Sequence, residues 1–336
     1  MIARVAGLAL LLPLASALRS DAIPLTLRLL LVALWIIATA RPHAALVALT
    51  LLVPVGSLLA AFAGASPRRD LEVVVLATLS GTLVAFARPP KTTLRPQRPS
   101  LVPPAIVVCA LLSAPAVMTL NITGAPSLIV EGIALMIVVA RHARDAVTRP
   151  GPFVAATALA GALAAVVVLV TSAHAALHAS SFFVMTAFVA IALAMNRRHT
   201  RVPRYPRVTQ ALWMGAAALI IVSIWIGGSR MAPAAATYDF LQVAGPFRLA
   251  ALAAIGWMLG AMAMRLARGL RADPGDRLLL GSTAALAAFL ACLWMSSDPG
   301  NVPEVAFPFW MLAGAALARA DGNAQPPHAA SRGSID

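Results

Sequence analysis

The sequence predicts an all-α, polytopic integral membrane protein of about 12 transmembrane helices. Three observations predict it: 60% of the residues are hydrophobic, the mean hydropathy is +0.87, and only 11% of the residues are charged. A single soluble core would not bury so many apolar side chains, so many of them must face lipid. The apolar runs are long and rich in Ala and Leu, without the alternation of a barrel strand, which favours helices.

The first apolar run follows Arg4 and has two interpretations. Ala15, Ser16 and Ala17 resemble the small-residue end of a cleavable signal peptide. We favour a first span, because hydrophobicity resumes at Ala22 after only three polar residues.

Eleven further apolar runs predict the remaining spans in chain order. Together the spans predict a single transmembrane domain over residues 1–320, followed by a disordered cytoplasmic tail over residues 321–336. The predicted spans are 22–40, 43–64, 71–87, 101–120, 128–140, 152–172, 181–195, 209–228, 248–267, 278–296 and 305–318.

Basic residues predict how these spans are oriented. With both termini in the cytoplasm, 20 of the 26 Lys and Arg residues fall on the cytoplasmic side, as the positive-inside rule requires. The net charge of +14 is therefore a topology signal, and no nucleic-acid partner is predicted. The chain is predicted to lie in a bacterial inner (cytoplasmic) membrane, with the lipid bilayer as a partner. The six exceptions are Arg19, Arg68, Arg69, Arg230 and Arg248 on the outer side and Arg28 within a span.

Motifs of nucleotide-driven or metal-dependent enzymes are missing from the sequence. It has no Gly-rich phosphate loop, no CxxC pair and no GxSxG elbow, and no cofactor is predicted. Cys109 and Cys292 fall within apolar spans, where a small hydrophobic role is expected. His174 and His178 have the spacing of two helical metal ligands, but no further ligand lies nearby, so they are interpreted as polar loop residues.

Polar residues of the predicted outer loop 229–247 are candidates for function. Arg230 ends the motif GGSR directly after an apolar span, and its guanidinium suits a phosphate or pyrophosphate. The alternative is an interfacial arginine that reaches lipid headgroups, and this alternative has more weight for Arg248. Asp239 and Gln242 share the loop, where Asp239 could act as a base or as an ion-pair partner.

Charged residues within spans are also candidates, because charge in hydrocarbon is costly. Glu131 and Arg28 each lie a turn or two inside the predicted outer end of a span. They could pair across the bundle, or each could reach the interface alone.

The last predicted outer loop contains SSDPGNVPEVAFPFW, with Glu304 between two prolines. Phe307, Phe309 and Trp310 follow it and resemble an interfacial aromatic anchor. A structural role at the entry to the last span is the simpler interpretation of this pattern.

Two segments resemble a known family. Residues 209–230, ending IVSIWIGGSR, resemble the helix of bacterial O-antigen ligases and O-antigen polymerases that ends in a small residue, Ser and Arg. Residues 239–317 are similar to the C-terminal portion of that family, most clearly at FLQ and VPEVAFPFWMLAG. A weaker likeness covers SLIVEGIALMIVVARHARDAV and SSFFVMTAFVAIALAM.

The resemblance implies a glycosyltransferase that needs no metal or other cofactor and works in the outer half of the bilayer. Its donor would be a polyprenyl-pyrophosphate-linked glycan, and its acceptor a glycan or glycolipid. Arg230 matches the family's arginine that helps to hold the pyrophosphate. The family typically has His-Asn just before the FLQ-like segment, where this chain has Tyr238 and Asp239, and its outer loop is usually much longer.

The candidate residues take their predicted roles from this comparison. Asp239 and His178 are the candidates to replace the missing histidine as the base. Arg230, Gln242, Arg248 and Glu304 are the candidates for substrate binding.

The sequence leaves two other functions open besides glycan transfer. One is a non-catalytic relative that binds a lipid-linked glycan or a membrane partner, which the missing histidine and the short loop suggest. The other is a secondary transporter that uses Glu131 and Arg28, although no internal repeat of fixed period supports it.

Overall fold

The computed structural model describes most, but not all, of the chain. Every regular element in the described part is helical, which confirms the predicted all-α class. The described residues are 25–62, 67–85, 107–110, 126–143, 150–171, 180–196, 206–228, 248–295 and 303–324, together with the single residues 11, 14, 15, 19 and 105.

Ten helices of 16 to 25 residues follow one another in this part of the chain. They coincide with predicted spans, and their ends differ from the predicted ends by a few residues. They are α1 Leu25–Ala40, α2 Pro42–Phe62, α3 Pro67–Ala85, α4 Pro126–His142, α5 Gly151–Thr171, α6 Ser180–Met195, α7 Pro206–Gly228, α8 Arg248–Ala272, α9 Arg277–Met295 and α10 Pro303–Asn323.

The apolar character of these helices indicates a membrane protein. Three are long and apolar enough to cross a membrane by length and composition, over Gly151–Val170, Arg207–Trp225 and Leu249–Ala272. The count of about 12 spans and their orientation stay predictions. Shorter apolar stretches are Leu25–Ala40, Pro42–Gly56, Leu71–Ala85, Ser181–Met195 and Arg277–Cys292.

Contacts between helices show that the chain runs back and forth and define two ends of the bundle. At the first end, which we call the Asp276 end, the start of α9 meets the last turns of α6 and α10. At the opposite end, which we call the Glu131 end, α4 and α10 both begin, and Trp310 packs on Gly132. Helices α4 and α10 therefore run in the same direction.

The last helix, α10, lies at the centre of the bundle. It packs against α2, α4, α5, α8 and α9, and its residues 305–318 are all buried. Phe307, Phe309 and Trp310 therefore do not form the interfacial anchor that the sequence suggested. Because α10 has neighbours on several sides, these rings fill the interior, and Phe309 stacks on Phe289 of α9 with ring centroids 4.6 Å apart.

Small residues allow several of these helices to approach closely. A Cβ atom at Gly314 of α10 would lie 2.5 Å from the backbone oxygen of Met136 in α4. Gly281 of α9 contacts Ala192 of α6 in the same way. Such contacts are typical of helix interfaces in membranes, where backbone approach replaces a hydrophobic driving force.

A buried carboxylate fastens the Asp276 end. Oδ1 of Asp276 accepts a hydrogen bond from the backbone N–H of Leu279 at 3.1 Å, which caps α9. Its Oδ2 accepts hydrogen bonds from Nε of Arg319 at 2.6 Å and from Nδ2 of Asn323 at 2.7 Å. Burial alone would raise the pKa of Asp276, but these hydrogen bonds and the charge of Arg319 hold that pKa below its usual value of 3.8.

Helix α10 continues past residue 320, the predicted end of the transmembrane domain, and a second ion pair forms there. Nη2 of Arg265 in α8 lies 3.3 Å from Oδ2 of Asp321. Because Asp321 and Asn323 both bond to neighbouring elements, residues 321–323 of the predicted tail are helical. The rest of the predicted tail, 325–336, lies outside the described residues.

Candidate functional site

Three charged residues lie within apolar helices at similar depth near the Glu131 end. They are Arg28 of α1, Glu72 of α3 and Glu131 of α4. Glu72 and Glu131 are each the sixth residue of their helix, and both helices begin at this end. Charge placed among apolar helices is expensive, so this layer is the first candidate for a functional site.

Glu131 is buried, with 9% of its surface exposed. Its Oε2 has no hydrogen-bond partner among the described residues. The next residue, Gly132, leaves room for the indole of Trp310 of α10, because a Cβ atom at position 132 would collide with that ring. The carboxyl group of Glu131 is therefore buried with its polarity only partly compensated by the described residues.

Glu72 is the charged residue that acts electrostatically on Glu131. It lies on α3, which packs against α4, and it is partly buried. Glu72 was not among the residues predicted from the sequence. Its position at the same depth as Glu131, in a helix that starts at the same end, is the signal that would have found it.

The pairing of α1 with α3 places Arg28 at the same level. Nε1 of Trp35 donates a hydrogen bond to Oγ of Ser80 at 3.2 Å. Arg28 lies seven residues before Trp35, and Glu72 lies eight residues before Ser80, so the two are level on parallel helices. Helix α3 packs against both α1 and α4, and its Glu72 is a charged neighbour of Glu131.

Most of the sequence-predicted site residues fall outside the described part. Neither the predicted bases, Asp239 and His178, nor Arg230 and Gln242 are described. Arg248 is the first residue of α8 and Glu304 is the second residue of α10, which places both at the Glu131 end. The description covers their helical positions and not their side chains.

Helices α7 and α8 flank the segment that contains Arg230. Helix α7 packs on α5 and α6, whereas α8 packs mainly on α10. Both expose large apolar side chains next to the segment, where Trp225 of α7 is 79% exposed and Leu249 of α8 is 82% exposed. In a membrane these faces meet lipid, so segment 229–247 joins two lipid-facing helices.

Metal-binding groups of three or more His, Cys, Asp or Glu side chains are not found among the described residues. Cys109 and Cys292 are both partly buried, and neither forms a disulfide.

No protein-family profile, curated protein or solved structure matches this chain. The likeness to the O-antigen ligase family therefore depends on the sequence segments alone.

Proposed function

We propose that this chain is an O-antigen ligase-like or polymerase-like protein of the bacterial inner membrane. It acts on polyprenyl-pyrophosphate-linked glycans at the periplasmic face, in the assembly of cell-surface polysaccharide such as lipopolysaccharide. The observation that carries the proposal is the place of Arg230, two residues after α7 ends, in a segment flanked by two lipid-facing helices. An apolar polyprenyl chain would arrive from the bilayer, and its pyrophosphate would lie at the level of that guanidinium.

The proposal includes about 12 spans with both termini in the cytoplasm. The Asp276 end is then cytoplasmic, and the Glu131 end, with segment 229–247, is periplasmic. The distribution of described arginines supports this orientation, because most of them lie at the Asp276 end. They are Arg41, Arg141, Arg207, Arg265, Arg268, Arg271, Arg277 and Arg319.

The chemistry proposed for the periplasmic side is a displacement at the first sugar of the donor. A base takes the proton of the acceptor hydroxyl, whose oxygen attacks the anomeric carbon while the bond to the pyrophosphate oxygen breaks. Arg230 stabilises the charge of the departing polyprenyl pyrophosphate. Asp239 and His178 are the two candidate bases, and substrate binding is proposed for Gln242, Arg248 and Glu304 in addition.

The test is glycan transfer by the reconstituted protein from a polyprenyl-pyrophosphate-linked glycan. We expect Arg230→Ala to lower the transfer rate by about 100-fold or more, because it removes charge stabilisation of the leaving group. Arg230→Lys should retain part of the activity, since it keeps the charge and loses the planar fork. Arg207→Ala, at the other end of the same helix, is the matched control and should be unchanged.

Each outcome of this assay decides between the candidates. Transfer that is unaffected by Arg230→Ala contradicts the proposed mechanism. A wild-type protein that binds the donor without turnover supports the non-catalytic relative.

Labelling of Arg230→Cys by a membrane-impermeant maleimide, in a chain whose two native cysteines are replaced by Ala, should occur from the periplasm. Labelling from the cytoplasm alone contradicts both the orientation and the chemistry.

A second candidate function is ion-coupled secondary transport. The observation that favours it is the buried Glu131. Its Oε2 lacks a hydrogen bond in the described part of the chain, and the nearby carboxylate of Glu72 acts on it electrostatically. Carboxylates in such surroundings are common carriers of protons in transporters.

Proton movement into proteoliposomes tests this second candidate. A dye inside the vesicles reports pH under an imposed potassium diffusion potential. If protons pass through the layer of Arg28, Glu72 and Glu131, vesicles with the wild type should acidify faster than empty vesicles. Glu131→Gln should lower the rate of acidification to that of empty vesicles. Asp273→Asn, which changes a carboxylate at the opposite end, is the control. Equal rates in empty and wild-type vesicles contradict proton transport.

A further inference from the structure

The carboxylates described at the Asp276 end accept hydrogen bonds or form ion pairs within the chain. Asp276 accepts hydrogen bonds from Arg319, Asn323 and the backbone of α9, and Asp321 pairs with Arg265. Oδ1 of Asp273 accepts a hydrogen bond from the backbone N–H of Gly275 at 3.1 Å. Outside the two ion pairs, the single negative charge of Asp273 faces three arginines, Arg268, Arg271 and Arg277, so positive charge is in excess around this turn.

Two arginines on the last turns of α8 are exposed. Arg268 and Arg271 are three residues apart, so they lie on the same face of the helix. Neither has an acidic partner among the residues that the structure describes. Arg277, at the start of α9, lies on the same turn, and its Nη1 donates to the backbone oxygen of Met195 at 3.4 Å. The turn therefore carries excess positive charge at its surface.

An apolar strip leads along α8 to these two arginines. Trp257, Gly260 and Met264 lie on the same face as Arg268, because their spacing is three, four and four residues. Trp257 is 53% exposed and Met264 is 56% exposed. A Cβ atom at Gly260 would meet no atom of the described residues within 4 Å, so these residues leave the strip open between the two large side chains.

The length of this strip matches one leaflet of a bilayer. Trp257 and Arg268 are eleven residues apart, which corresponds to about 16 Å along the helix. Half of the hydrocarbon thickness of a bilayer is about 15 Å. If the strip contacts acyl chains, the two arginines lie at the level of the phosphates.

We propose that this face of α8 is a binding site for an anionic phospholipid, with Arg268 and Arg271 contacting the headgroup phosphate and Trp257, Gly260 and Met264 contacting an acyl chain. A free phosphate would use only the two charges, whereas a phospholipid uses the charges and the strip together. A zwitterionic headgroup brings its own cation toward the two arginines, so a headgroup with net negative charge binds better. The site depends neither on the orientation of the chain nor on glycan transfer.

Native mass spectrometry of the whole protein in detergent tests the site. The probes are phosphatidylglycerol and phosphatidylcholine with identical acyl chains. We expect the wild type to retain phosphatidylglycerol over phosphatidylcholine by about tenfold or more. Arg268→Gln/Arg271→Gln should bring the two lipids within about twofold of each other, because the excess charge is removed. Arg41→Gln/Arg207→Gln removes two other exposed arginines from the same end and should keep the preference.

Further variants keep the proposal testable if the double glutamine variant fails to fold. Arg268→Lys/Arg271→Lys keeps both charges and should keep the preference, whereas each single glutamine variant should lose part of it. A preference that survives the loss of both arginines contradicts the site, and so does an equal loss in the control.

Two other occupants of this face give distinct results. Displacement of phosphatidylglycerol by millimolar inorganic phosphate would show a free-anion site and overturn the proposal. A wild-type dimer that excludes lipid and becomes monomeric on Gly260→Phe would show that a second copy of the chain covers the face, which also overturns it.

Discussion

Two buried carboxylates at opposite ends of the bundle have different surroundings. Asp276 accepts hydrogen bonds from three donors, whereas Oε2 of Glu131 has no donor in the described part of the chain. A buried carboxylate whose oxygens accept hydrogen bonds and an ion pair can stabilise a fold. A buried carboxylate without such partners lowers the stability of the fold. Asp276 therefore has a structural role, and Glu131 is the better marker of function.

The structural role of Asp276 predicts the effect of Asp276→Asn. The variant leaves the mostly buried guanidinium of Arg319 without its carboxylate, so it should lower the free energy of unfolding by about 3 kcal/mol. Thermal unfolding of the detergent-solubilised protein measures the change. Asp273→Asn is the control and should change the free energy of unfolding by less than about 0.5 kcal/mol, because an amide oxygen can still accept from Gly275.

The same residue predicts a dependence of stability on pH. Because the folded-state pKa of Asp276 is below its usual value of 3.8, its contribution is fully present above that value. The contribution is lost as the pH falls through the lower folded-state pKa. Unfolding scans from pH 6 downward should therefore show an acid loss in the wild type that is smaller in Asp276→Asn. Identical acid profiles for the two proteins contradict this role.

At the scale of elements, small residues decide which helices are neighbours. Gly314 brings α10 against α4, and Gly281 brings α9 against α6. Gly215 of α7 and Gly260 of α8, by contrast, have no described neighbour within 4 Å of the place where a Cβ would be. The sequence does not show which glycines lie in a close helix contact and which face open space. Substitution at the two kinds of position should nevertheless have different effects on stability.

Gly281→Val tests this distinction. The new side chain would collide with Ala192, so the variant should lower the free energy of unfolding by about 1–3 kcal/mol. Gly215→Val is the control and should be neutral or slightly stabilising, because the position is open and valine has the higher helix propensity. Thermal unfolding in detergent measures both. Equal destabilisation of the two variants contradicts the close contact between α9 and α6.

At the scale of the whole molecule, α10 is the most enclosed of the described helices. Helix α10 packs against α2, α4, α5, α8 and α9, so it joins the first half of the bundle to the second. The bundle is therefore expected to be incomplete without it.

Truncation separates α10 from the residues that follow it. A chain that ends at Met295 lacks α10 and should fail to give a monodisperse protein in detergent, because the surfaces that pack on it are exposed. A chain that ends at Ala324 retains every helical contact of α10 and should unfold at the same temperature as the full chain. Size-exclusion chromatography and thermal unfolding measure the two results. A stable, monodisperse chain ending at Met295 contradicts the central role of α10.

The positions of the ten described helices were predicted from the sequence alone. The predicted span 152–172 is the helix Gly151–Thr171, and the predicted span 181–195 is Ser180–Met195. This agreement has a local cause, since the length of an apolar run and the loops around it are properties of consecutive residues. The same reasoning identified Glu131 as unusual, because a charge in an apolar run is visible without knowing its neighbours.

Only the tertiary structure decided which side chains meet. It buried Phe307, Phe309 and Trp310, which the sequence had placed at an interface, because α10 is central. It brought Glu72 beside Glu131 and Asp276 beside Arg319, across 59 and 43 positions of sequence. In a bundle of uniformly apolar helices, the face that each helix buries depends on which helices pack around it, and that choice is made by long-range contacts between small residues and buried charges.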